Sequence, residues 1–391
     1  MPPVPCKDPD AVLVPSKESA EVSTSTMKAS VSQKTSQKIP PNFVPFINIP
    51  LLELSKALLL AGLAALIFHQ LGIFEQNNHY YYWMAVYAVV QLVDMISPAT
   101  GNLLQYIYPP VLVAYNVAYL NFRPTYTEAF AFMPTILFLI GVPMSVCLHR
   151  YFAHAAFTTT RLGQFVVGLV STFAYQGGCL WWAGKHVRHH HHCDQPKDPH
   201  SVVQQGFAYA FCGWTMNPIN LKERDLKFVE ARLQVPELFF LDKFYLLPVA
   251  ITFTALEQVL GYERPFIAYS ILLPMLLCRL ITLLFNVEYH PADNVKRCKS
   301  VDNPRLLALI VGESEHDLHH KMPAMSRRND WDLACKFYHH DICVCVCVSC
   351  AYICCANHII IIIIDLTSYC PFTDWISLSW MESLGLVWDL R

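Results

Sequence analysis

Three stretches of this chain are apolar enough and long enough to cross a lipid bilayer. They are residues 50–74, 128–148 and 265–288, and each meets the requirement of about 20 mostly apolar residues for a membrane-spanning helix. A backbone inside the hydrocarbon layer must satisfy its own hydrogen bonds, so each stretch is expected to be α-helical. Hydrophobic residues make up 54% of the chain and charged residues only 15%, which is unusual for a soluble protein. The sequence therefore predicts an all-α integral membrane protein.

Shorter or interrupted apolar stretches raise the expected number of spans. Residues 245–261 are followed by a brief turn and by the stretch at 265–288, so the two are expected to form a helical hairpin. Residues 80–97 and 103–120 are also apolar, but an aspartate interrupts the first and a pair of prolines the second, so they span, tilt or lie in the interface. The prediction is four to six transmembrane helices.

Basic residues predict which loops face the cytosol. Lysine and arginine accumulate at residues 185–232 and 291–328, and such loops stay on the cytoplasmic side of a membrane. Residues 162–182 are apolar and long enough to cross, but a crossing would put the histidine clusters before and after them on opposite faces. An in-plane or re-entrant helix is therefore expected there.

Histidines are concentrated in four clusters, each beside a predicted span on the predicted cytosolic side. The clusters are HRYFAH at 149–154, HVRHH at 186–190, NVEYH at 286–290 and HDLHH at 316–320. In HxxHH the spacing i, i+3, i+4 places three imidazoles on one face of a helix. A single histidine pair is more often structural than a ligand, but this repetition favours a metal site. Nine imidazoles exceed what one zinc holds, whereas two irons sharing them would each keep a position for oxygen.

At these positions the chain resembles the membrane fatty-acyl desaturases, the family that includes stearoyl-CoA desaturase. The order HxxxxH, HxxHH, HxxHH is present over about residues 45–338, together with the NxxxH of the acyl-CoA branch, and WWAGKH, DPHS and GES stand in matching places. The resemblance implies a helical membrane bundle with a cytosolic helical cap that carries a di-iron site. The implied ligands of two Fe²⁺ ions are His149, His154, His186, His189, His190, His290, His316, His319 and His320, with Asn286 reaching one iron through water.

The resemblance also implies a function. The chain is expected to introduce a double bond into a saturated acyl chain carried on CoA or on a membrane lipid, at a delta-9-like position, with O₂ and two electrons. The electrons are expected from a b-type cytochrome or a ferredoxin with its reductase, because no dinucleotide fingerprint or heme-binding HPGG is found in the chain. A multi-pass protein of the endoplasmic reticulum with its active site facing the cytosol is expected. The net charge of −2 argues against nucleic acid as a partner.

Two further classes of function are open at this stage. Related membrane di-iron hydroxylases use similar histidine clusters and leave oxygen in the product. A histidine-rich metal transporter also combines spans with imidazoles, but transporters place polar ligands near the middle of the membrane, whereas these clusters flank the spans. An inactive membrane scaffold is the remaining alternative.

Several neighbours of the clusters are candidates for supporting roles. Ligating histidines usually give their second ring nitrogen to a carboxylate or carbonyl, and the candidate carboxylates are Asp194, Asp198, Glu313, Glu315 and Asp317. His191, His192 and His200 match no ligand position, and His200 is expected to be structural.

Two pairs of residues beside the second cluster carry open alternatives. Trp181 and Trp182 either line the acyl tunnel or anchor the membrane interface. Lys185 and Arg188 either meet an acidic electron donor or a CoA phosphate, or merely reflect the basic character of a cytosolic loop.

The predicted desaturase domain covers residues 46–338 and resumes at 377–391, after a polar tail at 1–45 that is expected to be disordered. Residues 339–376 form an atypical insert, in which Cys343–Val348 alternates cysteine with valine and Ile359–Ile364 is a homopolymer. We interpret the insert as a retained intron or gene-model error, with a short membrane segment as the alternative. The cysteines are expected to be reduced, as is usual in the cytosol.

Overall fold

The structure is a bundle of α-helices, with one two-residue strand pairing in the part of the chain that it describes. This computed structural model describes residues 50–72, 82–294, 296–303, 305, 311–325 and 387–388, all of which belong to one unit running from Ile39 to Arg391. The predicted tail and the predicted insert lie outside the described residues.

The helices are numbered here in chain order. They are α1 (Leu51–Gln70), α2 (Tyr82–Ile96), α3 (Pro98–Tyr119), α4 (Tyr126–Leu139), α5 (Arg161–Ser171), α6 (Cys179–His192), α7 (Val202–Gln205), α8 (Phe207–Phe211), α9 (Pro218–Lys222), α10 (Pro236–Lys243), α11 (Leu247–Gln258), α12 (Arg264–Ile267), α13 (Leu273–Glu288) and α14 (His316–Lys321). Two π-helical segments, Ile140–Ala153 and Ala268–Leu272, continue α4 and join α12 to α13, and four 3₁₀ turns lie at Thr172–Ala174, Gly213–Met216, Leu226–Phe228 and Ala231–Leu233.

Three described helices are long and apolar enough to cross a membrane, and they confirm the three predicted spans. They are α1, the continuous helix Tyr126–Ala153 and the continuous helix Arg264–Glu288. Helices α10 and α11 are together long and apolar enough to cross, but the chain bends by 70° between them. The described spans therefore number three, or four if this pair crosses as one span. The bent pair contains the predicted span at 245–261. The chain is thus a multi-pass membrane protein.

Helix α1 shows most directly that a lipid environment is required. Only 6% of its apolar window is buried against the rest of the protein, and Leu59 is 74% exposed. A helix that is apolar on most sides and largely uncovered by the rest of the protein is stable where hydrocarbon surrounds it. By contrast α2 has only 15 residues, and α3, although 22 residues long, is not among the described helices that are apolar enough to cross.

The apolar stretch at 162–182 is divided rather than continuous. Helix α5 ends at Ser171, a 3₁₀ turn follows, and Tyr175 adopts a left-handed backbone conformation with φ of 60°. Helix α6 then begins at Cys179. No single helix of spanning length occurs here, and the expected in-plane or re-entrant placement stays a prediction.

Helix α6 runs through the buried core in close contact with its neighbours. A Cβ atom at Gly184 would overlap the backbone carbonyl oxygen of Arg224, and one at Gly178 would overlap Asp242. Asp242 accepts hydrogen bonds from the Trp181 backbone N–H at 2.8 Å and from Arg224 Nε at 2.7 Å, which satisfies a free donor at the start of the helix. Glycine at these two positions therefore lets α6 lie where its histidines are needed.

The one described strand pairing involves the C-terminal end of the chain. Strand β1 (Thr158–Thr159) pairs antiparallel with β2 (Val387–Trp388), with Thr158 opposite Trp388. The assignment of residues 377–391 to the same domain as residues 46–338 stays a prediction.

Candidate metal centre

The HxxxxH cluster lies where a membrane span changes its winding. A capping box formed by Thr125 and Glu128 begins α4, and the helix continues as the π-helical segment Ile140–Ala153. The His154 backbone N–H donates to the carbonyl oxygen of His149 at 3.2 Å, an i→i+5 bond of the π type. The wider turn brings residues five apart onto one face, and the two ring centroids lie 4.8 Å apart. The spacing that is poor for an α-helix thus suits the helix that forms.

The two HxxHH clusters lie on α6 and α14 and have the same internal geometry. On α6, His186 Nε2 lies 3.1 Å from His190 Nε2. On α14, His316 Nε2 lies 3.2 Å from His320 Nε2. In both helices the first and last histidines of the cluster form a pair. The middle histidine, His189 or His319, points towards the pair on the other helix.

Because each middle histidine joins the pair of the other helix, the histidines form two groups. The first histidine group is His149, His154, His186, His190 and His319, whose ligand atoms all lie within 4.8 Å of one another. The second histidine group is His189, His290, His316 and His320; His290 Nε2 lies 3.0 Å from His316 Nε2, and the ring centroid of His189 lies 4.8 Å from that of His290. All nine predicted histidines are brought together in this way. Their role as ligands stays a prediction.

The geometry of both groups fits a bound cation. His186 Nε2 lies 3.0 Å from His154 Nε2 and 3.1 Å from His190 Nε2. A ring nitrogen offers either one proton or one lone pair, so it cannot make normal hydrogen bonds to both neighbours. With metal–nitrogen bonds of about 2.1 Å, two nitrogens at right angles around one ion lie about 3.0 Å apart. The observed separations match that arrangement.

The protonation state of the rings also suits metal binding. Burial lowers the pKa of the imidazoles well below the usual value, and the neighbouring imidazoles lower it further. This applies to His186, His190, His316, His319 and His320. Neutral rings present the lone pairs that a metal requires.

Among the described contacts, buried carboxylates and one sulfur atom lie against the outer nitrogens of four rings. The contacts to Nδ1 are His149 with Glu313 at 3.0 Å, His189 with Asp198 at 2.9 Å, His290 with Asp194 at 3.0 Å and His320 with Cys298 Sγ at 3.5 Å. Such partners orient the ring and leave Nε2 for the metal. Of the five predicted carboxylates, Asp194, Asp198 and Glu313 therefore contact a histidine as expected.

The other two candidate carboxylates have different partners. Asp317 accepts from Ser300 Oγ at 2.9 Å and from the ammonium groups of Lys296 and Lys321 at 2.8 Å. Glu315 pairs through its backbone with Asp302. A position next to a predicted ligand in the sequence therefore does not show that a carboxylate contacts a histidine ring, because adjacent residues on a helix point in different directions.

Asp198 shows how strongly the second group is organised. Its Oδ2 accepts from the Asp194 backbone N–H at 2.8 Å as well as facing His189, and its Oδ1 accepts from the His200 backbone N–H at 3.0 Å. Burial by itself raises the pKa of this carboxyl, but His189 and these donors lower it overall. Asp198 is therefore ionised and holds the His189 ring.

Asn286 and the apolar residues around it border a small cavity at both groups. The cavity is lined by His149 and His186 of the first group, by His316 of the second and by Asn286. The remaining wall is Met144, Ser145, Trp182, Thr282, Phe285, Val311 and Glu313. The cavity therefore places a mostly apolar wall directly beside histidines of both groups.

The two tryptophans have different positions. Trp182 lines the cavity, while the indole N–H of Trp181 donates to the Asn220 carbonyl at 2.8 Å and its ring stacks on Trp214. Both side chains are buried, so neither is an interfacial anchor. Only Trp182 suits the predicted tunnel wall.

For Lys185 and Arg188, contact with a partner and the basic character of a cytosolic loop were open alternatives, and their contacts do not favour a partner. Lys185 is 1% exposed and its Nζ contacts Asp225 Oδ2 at 2.6 Å. Arg188 contacts the same carboxylate at 3.2 Å and donates to the Lys197 carbonyl at 2.8 Å. Burial of the lysine beside Asp225 makes an internal ion pair, and no ammonium is left for a phosphate or an acidic protein.

His200 has the structural role expected of it, whereas two cysteines near the groups differ from the sequence-based expectation. His200 stacks on His189 with ring centroids 4.4 Å apart, so its structural role is to support a predicted ligand. Cys193 and Cys298 form a disulfide, where reduced thiols are expected. Each cysteine stands near a histidine cluster, but 105 residues separate them, and such pairing cannot be read from spacing.

Comparison of the sequence with known proteins shows which family this chain resembles. The sequence profile of the family described as fatty acid desaturase matches residues 128–329, just over half of the chain. An sn-2 palmitoyl-lipid 9-desaturase of Nostoc sp. (strain 36) is 29% identical over 194 residues, covering 47% of this chain and 67% of that protein.

Two eukaryotic relatives give similar matches. A Delta(9)-fatty-acid desaturase of Caenorhabditis elegans is 31% identical over 200 residues, covering 46% of this chain and 58% of that protein. A probable lipid desaturase of Arabidopsis thaliana, chloroplastic, is 26% identical over 211 residues, covering 52% and 57%. The matches thus span 57% to 67% of the length of these relatives.

Proposed function

This chain belongs to the fatty acid desaturase family, and from that premise we propose that it introduces a double bond into a saturated acyl chain, with O₂ and two electrons. The observation that carries the proposal is the pair of buried histidine groups beside a mostly apolar cavity. The names of the relatives, which are 9-desaturases acting on lipids or fatty acids, favour a delta-9-like position.

The two histidine groups are proposed to hold one Fe²⁺ ion each. The ligands are His149, His154, His186, His190 and His319 for the first and His189, His290, His316 and His320 for the second, with Asn286 acting through water. This arrangement agrees with the Nε2 separations within each group. Imidazole-only sets suit iron and leave positions free on each ion.

The substrate explains why a metal is needed. A methylene group has no acidic proton and no leaving group, so acid–base and nucleophilic catalysis cannot remove its hydrogens. When bound, two irons supply the O₂-derived oxidising power that this step requires. The residues of the chain position the acyl group and exclude water: Trp182, Phe285 and Val311 line the cavity, while Glu313, Asp194 and Asp198 hold the histidine rings in place.

The partners and location follow from the same proposal. The acyl group is carried on CoA or on a membrane lipid, and a b-type cytochrome or a ferredoxin with its reductase supplies electrons. The site faces the cytosol from the endoplasmic reticulum membrane, in keeping with the basic residues at 185–232 and 291–328.

Expression in a yeast strain that lacks its own desaturase tests the activity. The full chain, and a form without residues 339–376, would be expressed and the cellular fatty acids analysed by gas chromatography with mass spectrometry. We expect a new monounsaturated acid whose double bond locates the reaction, and we expect His319→Ala to abolish it.

His191→Ala is the matched control. His191 lies in the same run of histidines as His189 and His190, but it is exposed and its ring contacts Phe228, so its loss should leave the product unchanged. Hydroxylated acids would instead indicate a hydroxylase. Absence of any new fatty acid with both forms of the chain would favour the alternative that the protein is an inactive membrane scaffold.

A further inference from the structure

The disulfide between Cys193 and Cys298 joins two segments that carry the second histidine group. Cys193 immediately follows α6, which contributes His189. Cys298 lies between His290 and α14, in a loop otherwise distant in sequence. The bond therefore ties the end of α6 to the segment that connects the other three histidines of that group.

Both sulfur atoms contact rings of the second group. Cys193 Sγ lies 3.7 Å from His290 Nδ1, and Cys298 Sγ lies 3.5 Å from His320 Nδ1. Among the described contacts, none joins either sulfur to a ring of the first group. A change at this bond would therefore act most directly on the second group.

Hydrogen bonds reinforce the same junction. Asp194, next to Cys193, accepts from the backbone N–H of Lys299, next to Cys298, at 2.8 Å, and its Oδ2 also faces His290 Nδ1 at 3.0 Å. Ser201 Oγ donates to the other oxygen of Asp194 at 2.9 Å. The disulfide and Asp194 together fix the position of the two segments relative to each other.

This bond stands alone among the described cysteines. Cys147, Cys179, Cys212 and Cys278 are free, so the described part of the chain is not built like a disulfide-stapled secreted domain. Where a protein faces a reducing compartment, a single disulfide is usually transient and serves a redox-sensing or catalytic role. Its position against two candidate ligands gives such a role a physical target.

We propose that Cys193 and Cys298 form a reversible thiol–disulfide site that controls how tightly the second histidine group holds its metal. This inference rests on the proposed function. In the oxidised state the bond fixes the segments that carry the ligands. A dithiol reduces it by exchange: two electrons and two protons pass to the two sulfurs, the Cys193–Cys298 bond breaks, and the reductant becomes a cyclic disulfide. The segments are then joined only by hydrogen bonds, and the second metal is held more weakly.

Metal analysis of the purified full chain in detergent tests the proposal. One sample is treated with dithiothreitol and the other with oxidised glutathione; both reagents are removed, and both samples are loaded with Fe²⁺ under nitrogen and then desalted. Iron per chain is measured by mass spectrometry, and the state of both cysteines by alkylation and peptide mapping. We expect about two irons in the oxidised sample and about one in the reduced sample, with the dissociation constant of the second iron raised at least tenfold.

Two variants separate the bond from general effects of reduction. The double variant Cys193→Ser/Cys298→Ser should behave like the reduced protein under both conditions. Cys212→Ser, which removes a partly exposed cysteine whose recorded contact is with the Ala208 carbonyl, should follow the wild type.

Three results are decisive. Equal iron content in the oxidised and reduced wild-type samples would overturn the proposal, as would complete alkylation of both cysteines without prior reduction. These results leave the proposed function standing. Absence of iron from every sample would overturn the proposed function, and this inference with it.

Discussion

The two histidine groups are built differently, although each takes residues from the same two helices. The first group depends on helix geometry: the π-helical turn presents His149 and His154, and α6 presents His186 and His190. The second group includes His290, which lies in a loop two residues after the end of α13, and it is surrounded by loop residues such as Asp194, Asp198 and Cys298.

This difference shows two ways of fixing the histidine rings. In the first group, packed helices fix the backbone, and among the described contacts Glu313 meets the outer nitrogen of His149. In the second group, hydrogen bonds and a disulfide fix the loop backbone, and Asp194, Asp198 and Cys298 meet outer nitrogens of its rings. Breaking the loop contacts should therefore disturb the second group first, whereas distorting α6 should disturb both groups.

Removing one ligand from each group should have the largest effect. His190→Ala and His320→Ala are each expected to lower desaturation on the order of 1,000-fold or more, because metal assistance worth several kcal/mol is lost. Each should keep about one iron per chain instead of two, measured on the purified protein. Loss of both irons from either variant would show that the two groups form one cooperative site.

Replacing the outer carboxylates should have an intermediate and unequal effect. Asp198→Asn and Glu313→Gln are expected to weaken binding of one metal by about 10- to 100-fold, with the larger effect for Asp198, which also accepts from two backbone N–H groups. Metal titration followed by spectroscopy would measure the dissociation constant of each variant. Glu315→Gln, whose recorded contacts are through its backbone, is the control and should change binding less than about twofold; equal losses in all three variants would contradict the assignment.

Displacing α6 should affect both groups alike and by the smallest amount. Gly184→Ala places a methyl group against the Arg224 carbonyl, and overpacking of this kind costs about 1–3 kcal/mol of stability. A fall of several degrees in the thermal midpoint is expected, measured in detergent, with similar losses of both metals. Gly62→Ala on α1, where a Cβ meets nothing within 4 Å, should leave the midpoint unchanged or slightly raised; an equal fall would point to a general loss of helix quality.

Much of the architecture was predictable because its causes are local. Apolar runs of about 20 residues specify spans wherever they occur, and the runs at 50–74, 128–148 and 265–288 did so. The i, i+3, i+4 spacing likewise places His186, His189 and His190 on one helical face. Both inferences need only the helical repeat and the cost of exposing apolar groups to water.

Other features depended on contacts between distant segments. The burial of Lys185 follows from Asp225, 40 residues later, and no local pattern distinguishes such a lysine from one facing solvent. The roles of Glu313 and Glu315 are likewise decided by how the turn before α14 meets the π-helical segment.

By itself, then, the sequence determined that this is a helical membrane protein of the desaturase type, because hydropathy and histidine spacing are properties of single segments. The tertiary structure decided which histidine joins which group, which carboxylate holds which ring, and that Cys193 meets Cys298. Those outcomes depend on the relative placement of α6, α14 and the π-helical segment. That placement results from packing summed over the whole chain rather than from any one motif.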